Sequence, residues 1–169
     1  MKTIEGIFAS GDERIELPFG VVIESPLNIS KTKDRILIEI TKFPISYGIF
    51  GEEGIRQVNY LSMAPGLIAG NHYHKEKTEM FYVTKGDCLF CFVDPETEQK
   101  YIFNLSENTN FIVKQNVKHA IANPVIDDYL NIIEMANISH DPNKKSDSYK
   151  CDPQILTMED INSSPASGR

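Results

Sequence analysis

The apolar residues of this chain fall into short segments in which they often alternate with polar residues. In the first clear example, Ile36, Ile38 and Ile40 alternate with Leu37, Glu39 and Thr41. Similar segments, rich in Val, Ile, Phe and Tyr, cover residues 55–63, 79–84, 88–93, 101–105, 111–113, 117–122 and 129–135. Turn-forming residues separate them, a spacing that is typical of short strands. Because no long amphipathic helix interrupts the series, the sequence predicts an all-β sandwich or barrel.

Breaks in this pattern predict the turns and the outer limits of the β domain. Lys85-Gly86-Asp87 and Asp94-Pro95-Glu96 each separate two apolar segments and are interpreted as hairpin turns. We expect residues 1–20 to form an N-terminal arm or edge strand, 21–137 the barrel, and 138–169 a C-terminal extension. The extension is polar and contains Asp-Pro breakers, so we expect one short helical turn near its end and partial flexibility.

Size, charge and cysteine content narrow the class of protein. The chain has 169 residues, a length that favours a single domain. Seventeen Lys and Arg residues against 24 Asp and Glu residues give a net charge of −7, which disfavours binding to nucleic acid. No apolar run is long enough to span a membrane. The N-terminal segment lacks the apolar core of a signal peptide and cysteines are few, so we expect a cytoplasmic protein.

Four polar residues are spaced so that one metal ion could bind all of them. His72 and His74 are two positions apart, which places both imidazoles on the same face of a strand. The polar segment 75–78 could form a hairpin that returns Glu79 to their side. His119, in a later strand, shares its face with apolar neighbours. Three imidazoles and a carboxylate that converge inside a small barrel predict a site for a divalent transition metal.

The spacing of these residues also matches a known signature. Written out, the segment is Gly66-x5-His72-x-His74-x4-Glu79-x6-Gly86. It agrees with the first signature motif of the cupin superfamily at every fixed position. Five fixed residues at these intervals coincide by chance in only about 3 of 100,000 chains of this length and composition.

The second cupin motif is half present. The corresponding segment is Asn108-x5-Lys114-x-Asn116-x2-His119-x3-Asn123, in which the His and the final Asn match the motif. Lys114 and Asn116 stand where cupins usually carry Pro and Gly. We expect Asn116 to take the left-handed turn conformation in place of Gly, because Asn tolerates it better than most residues do.

Through these two motifs the chain resembles a single-domain member of the cupin superfamily over residues 30–137. The resemblance implies a double-stranded β-helix, the jelly-roll barrel of cupins, which is often dimeric. It also implies one bound divalent transition metal (Zn, Mn, Fe, Ni, Co or Cu), with His72, His74, Glu79 and His119 as its ligands. Cupins catalyse many reactions, so the fold does not choose among them.

Within the superfamily, the chain resembles cupins of sugar-nucleotide and capsular-polysaccharide pathways. The segments 70–75, 77–83 and 147–149 carry this similarity. The metal-free sugar 3,4-ketoisomerases of these pathways usually have Arg where this chain has Ala69, and they lack a ligand equivalent to Glu79. The 3,5-epimerases of the rhamnose pathway use a His-x-Gln arrangement that is absent here. The metal-dependent branch therefore fits the sequence better.

The resemblance favours a metal-dependent isomerase or epimerase that acts on a sugar phosphate or nucleotide sugar. In this hypothesis the metal holds a sugar carbonyl, and a protein group moves a proton at the neighbouring carbon. Glu134 and Tyr82 are the candidate acid or base groups. The candidate substrate-binding residues at the barrel mouth are Arg56, Gln57, Asn59 and Asn123, with Lys114 and Lys118 as further basic groups near the motif strands.

Two other functions are compatible with the sequence. The same four ligands serve mononuclear Fe dioxygenases in the superfamily, and such an enzyme would need an apolar cavity. A non-catalytic cupin that binds a small ligand would need no acid or base group. All three hypotheses imply a small-molecule partner, and we also expect a homodimer because an open sheet needs its edge covered.

Overall fold

The computed structural model describes residues 14–17, 19–25, 28–31, 33, 35–41, 45–139, 143 and 145–163. Within these residues the chain forms 13 strands and a few short helices. The strands are β1 (Ile15–Leu17), β2 (Val21–Glu24), β3 (Asn28–Lys31), β4 (Ile36–Glu39), β5 (Gln57–Met63), β6 (Ile68–His74), β7 (Glu79–Lys85), β8 (Cys88–Val93), β9 (Lys100–Leu105), β10 (Asn110–Val113), β11 (Lys118–Ala122), β12 (Leu130–Ala136) and β13 (Ser148–Lys150). The helices are α1 (Ile45–Phe50), a 3-10 helix (Gly51–Glu53) and α2 (Met158–Asn162).

Two antiparallel sheets form the body of the fold. One has six strands in the order β1-β2-β10-β7-β12-β5, and the other has five in the order β13-β6-β11-β8-β9. Strands β3 and β4 pair separately as a hairpin. The prediction of an all-β jelly roll is confirmed. None of the helices in the described part of the chain is long and apolar enough to cross a membrane.

The core lies between the two sheets and is built largely from aromatic rings. Phe81 and Phe111 stack with their centroids 4.8 Å apart in one sheet, and Phe90 of the other sheet lies 4.3 Å from Phe111. Phe103 and Phe92 continue the cluster, and all five side chains are buried. Because burying one such ring contributes about 1.5–3 kcal/mol, this aromatic cluster is a main source of the sheet-to-sheet attachment.

The C-terminal residues belong to the body of the fold. Strand β13 pairs with β6 at the edge of the five-stranded sheet. Leu156 and Ile161 then pack on the outer face of that sheet, over Leu89, Cys91 and Ala120. Part of the predicted extension 138–169 therefore covers one face of the barrel. Residues 164–169, where the flexible tail was predicted, and 1–13 of the predicted arm lie outside the described residues.

One of the two predicted hairpin turns is wrong. Lys85-Gly86-Asp87 joins β7 to β8, which belong to different sheets, so this turn crosses from one sheet to the other. The Asp94-Pro95-Glu96 prediction is confirmed, because β8 and β9 pair on either side of it and the Asp94 amide donates to the Gln99 carbonyl. Alternation within each segment predicted both pairs of strands, but it did not say which sheet each strand joins.

A β-bulge in β6 decides which side chains face the inside of the barrel. Gly70 pairs with Ala120 and His72 pairs with His119, so Asn71 is an extra residue with a positive φ of 57°. The Asn71 side chain turns outward to bond the backbone of Leu156. His72 therefore faces inward, which it would not do in a regular continuation of the strand.

We predict that Gly70→Ala destabilises the protein by about 2 kcal/mol or more. Gly70 has φ +87°, and a Cβ there would lie 3.1 Å from both the Ala120 Cα and the His119 carbonyl oxygen. The left-handed conformation alone costs a residue with a Cβ about 1–2 kcal/mol. Urea unfolding at equilibrium measures the change.

The matched control is Gly48→Ala in α1, where a new Cβ has no neighbour within 4 Å and φ is not positive. Because Ala is the better helix former, this variant should be unchanged or slightly more stable. Similar free energies of unfolding for the two variants would contradict the role assigned to the bulge.

Candidate metal centre

Four side chains meet between the two sheets. His72 and His74 come from β6, His119 from β11 and Glu79 from the first position of β7. One potential ligand atom of each lies within 4.8 Å of the others. The His119 Nε2 is 3.1 Å from one carboxylate oxygen of Glu79, and the His74 Nε2 is 3.3 Å from the other. His72 is half-buried and the other three are buried.

The geometry that assembles the cluster differs from the predicted hairpin. Strand β6 lies in the five-stranded sheet and β7 in the six-stranded sheet, so His74 and Glu79 approach from opposite walls. The segment 75–78, which we call the crossing, passes from one sheet to the other. The hairpin prediction is therefore wrong. The crossing still places Glu79 against the two imidazoles, because its side chain points into the space that the sheets enclose.

Hydrogen bonds determine which nitrogen of two imidazoles carries the proton. The Nδ1 of His74 lies 2.9 Å from the backbone oxygen of Asp147, and the Nδ1 of His119 lies 3.0 Å from that of Val117. A carbonyl oxygen only accepts, so each Nδ1 must donate. In the neutral ring, Nε2 then presents a lone pair to the Glu79 carboxylate. Carbonyl bonds of this kind commonly orient histidine ligands of metals.

The protonation states suit metal ligands. Burial, together with the nearby His119 and His74, lowers the pKa of His72 to about 3, so this ring is neutral at pH 7. Burial alone would raise the pKa of Glu79, but the hydrogen bonds and positive charge that His119 and His74 supply when their rings are protonated outweigh burial and lower it. His72 thus offers a neutral nitrogen and Glu79 an ionised carboxylate, which are the states that metal binding requires.

Two buried polar atoms of the cluster have no hydrogen-bond partner. They are the Nε2 of His74 and Oε2 of Glu79. The other oxygen of Glu79 accepts from the Lys77 ammonium at 3.1 Å. Lone pairs that face one another inside a protein are costly unless a cation or proton lies between them. Three imidazoles and one carboxylate are a donor set that divalent transition metals prefer, so the residues present fit such an ion.

A second carboxylate lies beside the cluster. Glu134 of β12 is on the inward face, opposite Asn59 of β5, and the Gln57 amide donates to Asn59. Burial and the charge of Glu79 raise the pKa of Glu134, and they outweigh a hydrogen bond with Asn59 and the charge of Lys77. Three of the predicted site residues therefore lie together on the inner side of the six-stranded sheet.

A cavity of about 390 Å³ opens beside His74. Arg56, Lys77 and Lys145 contribute basic groups to its wall. Its remaining lining residues are Glu53, Glu76, Asn137, Ile138, Ser139, Ser146, Asp147 and Ser148. Arg56 also forms an exposed ion pair with Glu53, with a nitrogen to oxygen distance of 2.6 Å. His74 is the one residue of the cluster that lines the cavity, and it lies there beside a group of cations.

Two predicted site residues lie elsewhere. Tyr82 is on the opposite face of β7 from Glu79, and its hydroxyl donates to Asn108. Asn123 is buried at the far end of β11, where its amide donates to the Met63 and Asp128 carbonyls. Both side chains are used in packing and turn formation.

The φ of 65° at Asn116 confirms the left-handed conformation expected there.

Of the predicted basic residues, Arg56 lines the cavity and the two lysines do not. Lys118 pairs with the exposed Glu98, and the Lys114 stem packs beside Gly20, so neither lines the cavity. Lys77 and Lys145 were missed. The position of Lys77 between two ligands was a usable signal, whereas Lys145 comes from a polar segment with no pattern of its own.

The buried His72 predicts a pH-dependent stability for the metal-free protein. Its pKa is lowered from 6.5 to about 3 on folding, so the unfolded state takes up a proton first as the pH falls. The stabilisation is complete above pH 6.5 and is lost progressively toward pH 3. Between pH 7.5 and 5.5 we expect His72 to account for a loss of about 1 kcal/mol.

Urea unfolding in EDTA at the two pH values measures this loss. The His72→Gln variant has no titrating ring at this position, so its loss over the same interval should be smaller by about that amount. An identical pH dependence in the variant and the original protein would contradict the burial argument.

Comparison with solved structures identifies the fold. A 4-keto-6-deoxy sugar epimerase from the novobiocin gene cluster of Streptomyces spheroides is 14% identical, with a TM-score of 0.63 over 79% of this chain and 71% of that one. A 3'-monoepimerase from Streptomyces bikiniensis, in complex with dTDP-quinovose, is 16% identical, with a TM-score of 0.66 over 84% and 81%. A TDP-fucose-3,4-ketoisomerase from Campylobacter jejuni is 16% identical, with a TM-score of 0.57 over 80% and 92%.

These similarities show the fold, which is the jelly-roll barrel of the cupins. No curated protein matches the chain significantly in sequence. The family model described as the polysaccharide biosynthesis C-terminal domain matches residues 48–149, a range that includes all four residues of the cluster. Because this match covers more than half of the chain, the protein belongs to the polysaccharide biosynthesis C-terminal domain family.

Proposed function

We propose that the protein is a metal-dependent isomerase or epimerase that acts on a sugar phosphate or nucleotide sugar. The observation that carries the proposal is the buried cluster of three imidazoles and a carboxylate with a second carboxylate, Glu134, beside it. One group of residues can hold a cation, and the neighbouring group can move a proton. Reactions that shift a proton next to a carbonyl need both functions within one site.

The proposed ligands of the metal are His72, His74, Glu79 and His119. The set accepts Zn, Mn, Fe, Ni, Co or Cu, and the choice depends on availability as well as affinity. When bound, such an ion supplies a Lewis acid that polarises a sugar carbonyl and makes the neighbouring C–H more acidic. The Nδ1 bonds of His74 and His119 direct their Nε2 lone pairs toward this position.

Glu134 is the proposed acid and base. Its pKa is raised by burial and by the charge of Glu79, so its carboxylate is a stronger base than an exposed one. Epimerisation would result if Glu134 took a proton from the carbon next to the carbonyl and solvent supplied a proton to the opposite face of that carbon. Return of the proton by Glu134 to a neighbouring atom would give isomerisation. Asn59, opposite Glu134 on β5, would hold the carboxylate in place.

The cavity supports an anionic substrate. Arg56, Lys77 and Lys145 place three cations around a space next to the proposed centre. Phosphate groups attract clustered basic side chains, and the serines of the wall supply further hydrogen-bond donors. The membership of a polysaccharide biosynthesis family supports a sugar substrate, as do neighbours whose names describe epimerases and ketoisomerases of dTDP- or TDP-sugars.

The polar surroundings favour this proposal over an Fe dioxygenase. Glu134, Asn59 and Gln57 all lie close to the cluster, whereas the dioxygenase hypothesis needs an apolar cavity. The buried phenylalanines belong to the core instead. A non-catalytic binding module would not need a buried carboxylate with a raised pKa, and turnover distinguishes it from an enzyme.

Two further expectations complete the proposal. We propose a homodimer, for which the exposed Val58 and Tyr60 on edge strand β5 offer an apolar contact surface. A cytoplasmic location is also proposed, because the three cysteines of the chain are free thiols.

We predict that Glu134→Gln lowers the rate of proton exchange at least 100-fold, because the amide cannot accept the proton. The measurement is deuterium incorporation from D2O into a panel of 4-keto-6-deoxy nucleotide sugars and sugar phosphates, followed by proton NMR. Bound metal should be unchanged, because Glu134 is not one of the proposed ligands.

Glu96→Gln, at an exposed position in the turn between β8 and β9, is the matched control and should keep the full rate. Exchange by Glu134→Gln at the control rate would contradict the role of this carboxylate. Failure of the metal-loaded original protein to catalyse exchange with every member of the panel would contradict the proposed activity.

We predict that an anionic ligand stabilises the protein through the cavity cations. With dTDP as the probe, the melting temperature should rise, because a ligand that binds only the folded state shifts the unfolding equilibrium. Lys145→Met should reduce this rise, whereas Lys150→Met, an exposed lysine of β13 that does not line the cavity, should preserve it. An equal rise in both variants would contradict anion binding at this cavity.

A further inference from the structure

One carboxylate holds the crossing that connects two of the proposed metal ligands. The Asp147 side chain accepts three consecutive backbone N–H groups, from Lys75 at 3.1 Å and from Glu76 and Lys77 at 3.0 Å each. These three residues form the crossing between His74 and the strand that begins with Glu79. Charged hydrogen bonds of this kind are stronger than neutral ones, and three of them fix the path of the crossing.

The same residue also orients an imidazole. The backbone oxygen of Asp147 accepts the Nδ1–H of His74 at 2.9 Å, and a carboxylate oxygen lies 3.9 Å from the same nitrogen. The side chain of Asp147 therefore anchors the carbonyl that selects the tautomer of His74. The Asp147 carboxylate binds the backbone of the crossing, and the Asp147 carbonyl binds His74. Both contacts therefore depend on where Asp147 is held.

Strand β13 holds Asp147 at this point. Ser148 pairs with His74, and Tyr149 pairs with Tyr73, with their rings stacked 5.2 Å apart. The Lys75 ammonium lies 4.5 Å from the centroid of the Tyr149 ring. The register of β13 on β6 thus places Asp147 directly beside the end of β6, where the crossing begins.

We infer that Asp147 is a positioning residue of the metal centre. It sets the tautomer and direction of His74 and the path that brings Glu79 opposite that ring. This inference rests on the metal binding in the proposed function, but it assigns a role to a residue 73 positions away from His74 that would not contact the ion. Removal of a group that orients a metal ligand commonly lowers the affinity for the metal 10- to 100-fold.

The test is a titration of the metal-free full-length protein with Co²⁺, followed by the visible absorption of the bound ion. Asp147→Ala should weaken Co²⁺ binding at least tenfold and alter the absorption band, because His74 loses its fixed direction. Asp147→Asn keeps one acceptor oxygen, so its affinity should fall between those of the original protein and Asp147→Ala. If the alanine variant does not fold, the asparagine variant alone should show weaker binding and an altered band.

The matched control is Asp160→Ala. Asp160 also belongs to the C-terminal region, where it bonds Thr157 in a capping box and pairs with Lys100 at 2.7 Å. It stabilises this region without touching the crossing. We expect the control to lose stability while its Co²⁺ affinity stays within about twofold and its band is unchanged.

The outcomes separate this inference from the proposed function. Unchanged Co²⁺ affinity and absorption in the folded Asp147 variants would overturn the inference and leave the metal centre intact. Equal weakening in the Asp147 and Asp160 variants would also overturn it, since the effect would then come from general stability. Absence of Co²⁺ binding by the original protein would overturn the metal centre, and the inference with it.

Discussion

The arrangement of this site depends on one electrostatic constraint, which is that nitrogen and oxygen lone pairs face one another in a buried space. The Nδ1 atoms of His74 and His119 donate to carbonyl groups, so in the neutral form of each ring the Nε2 lone pair points toward an ionised carboxylate, at 3.3 and 3.1 Å. In a dry interior this grouping is unfavourable without positive charge at its centre. Lys77 supplies one such charge at Glu79, and a metal ion would satisfy the remaining atoms.

Three features of the fold bring these atoms together, and each comes from a different part of the chain. The bulge at Gly70 and Asn71 turns His72 inward. The crossing between the sheets places Glu79 opposite His74. Asp147 and its strand then hold the crossing from outside. The Asn71 side chain belongs to this arrangement as well, because it bonds the backbone at Leu156 and attaches the C-terminal residues to the bulged strand.

The sequence predicted much of the fold and the four side chains that cluster between the sheets, since alternation and motif spacing carry both. Alternation located most barrel strands, and the interval between His72 and His74 placed their rings on one face. The hairpin expected before Glu79 was wrong, because alternation does not specify which sheet a strand joins. Asp147 was missed as a positioning residue, since its contact with His74 spans 73 positions in a segment without periodicity. Tyr82 had the parity of an outward residue, and the structure places it there.

If the four clustered residues bind one transition metal ion, the metal content of the purified protein should reveal it. The protein is purified without a nickel column and analysed by elemental mass spectrometry, together with the Glu79→Ala variant. We expect about one equivalent of a single divalent transition metal in the original protein and a large loss in the variant. Protein that contains no metal, and takes up none on incubation with Zn²⁺, Mn²⁺, Fe²⁺ or Co²⁺, would contradict it.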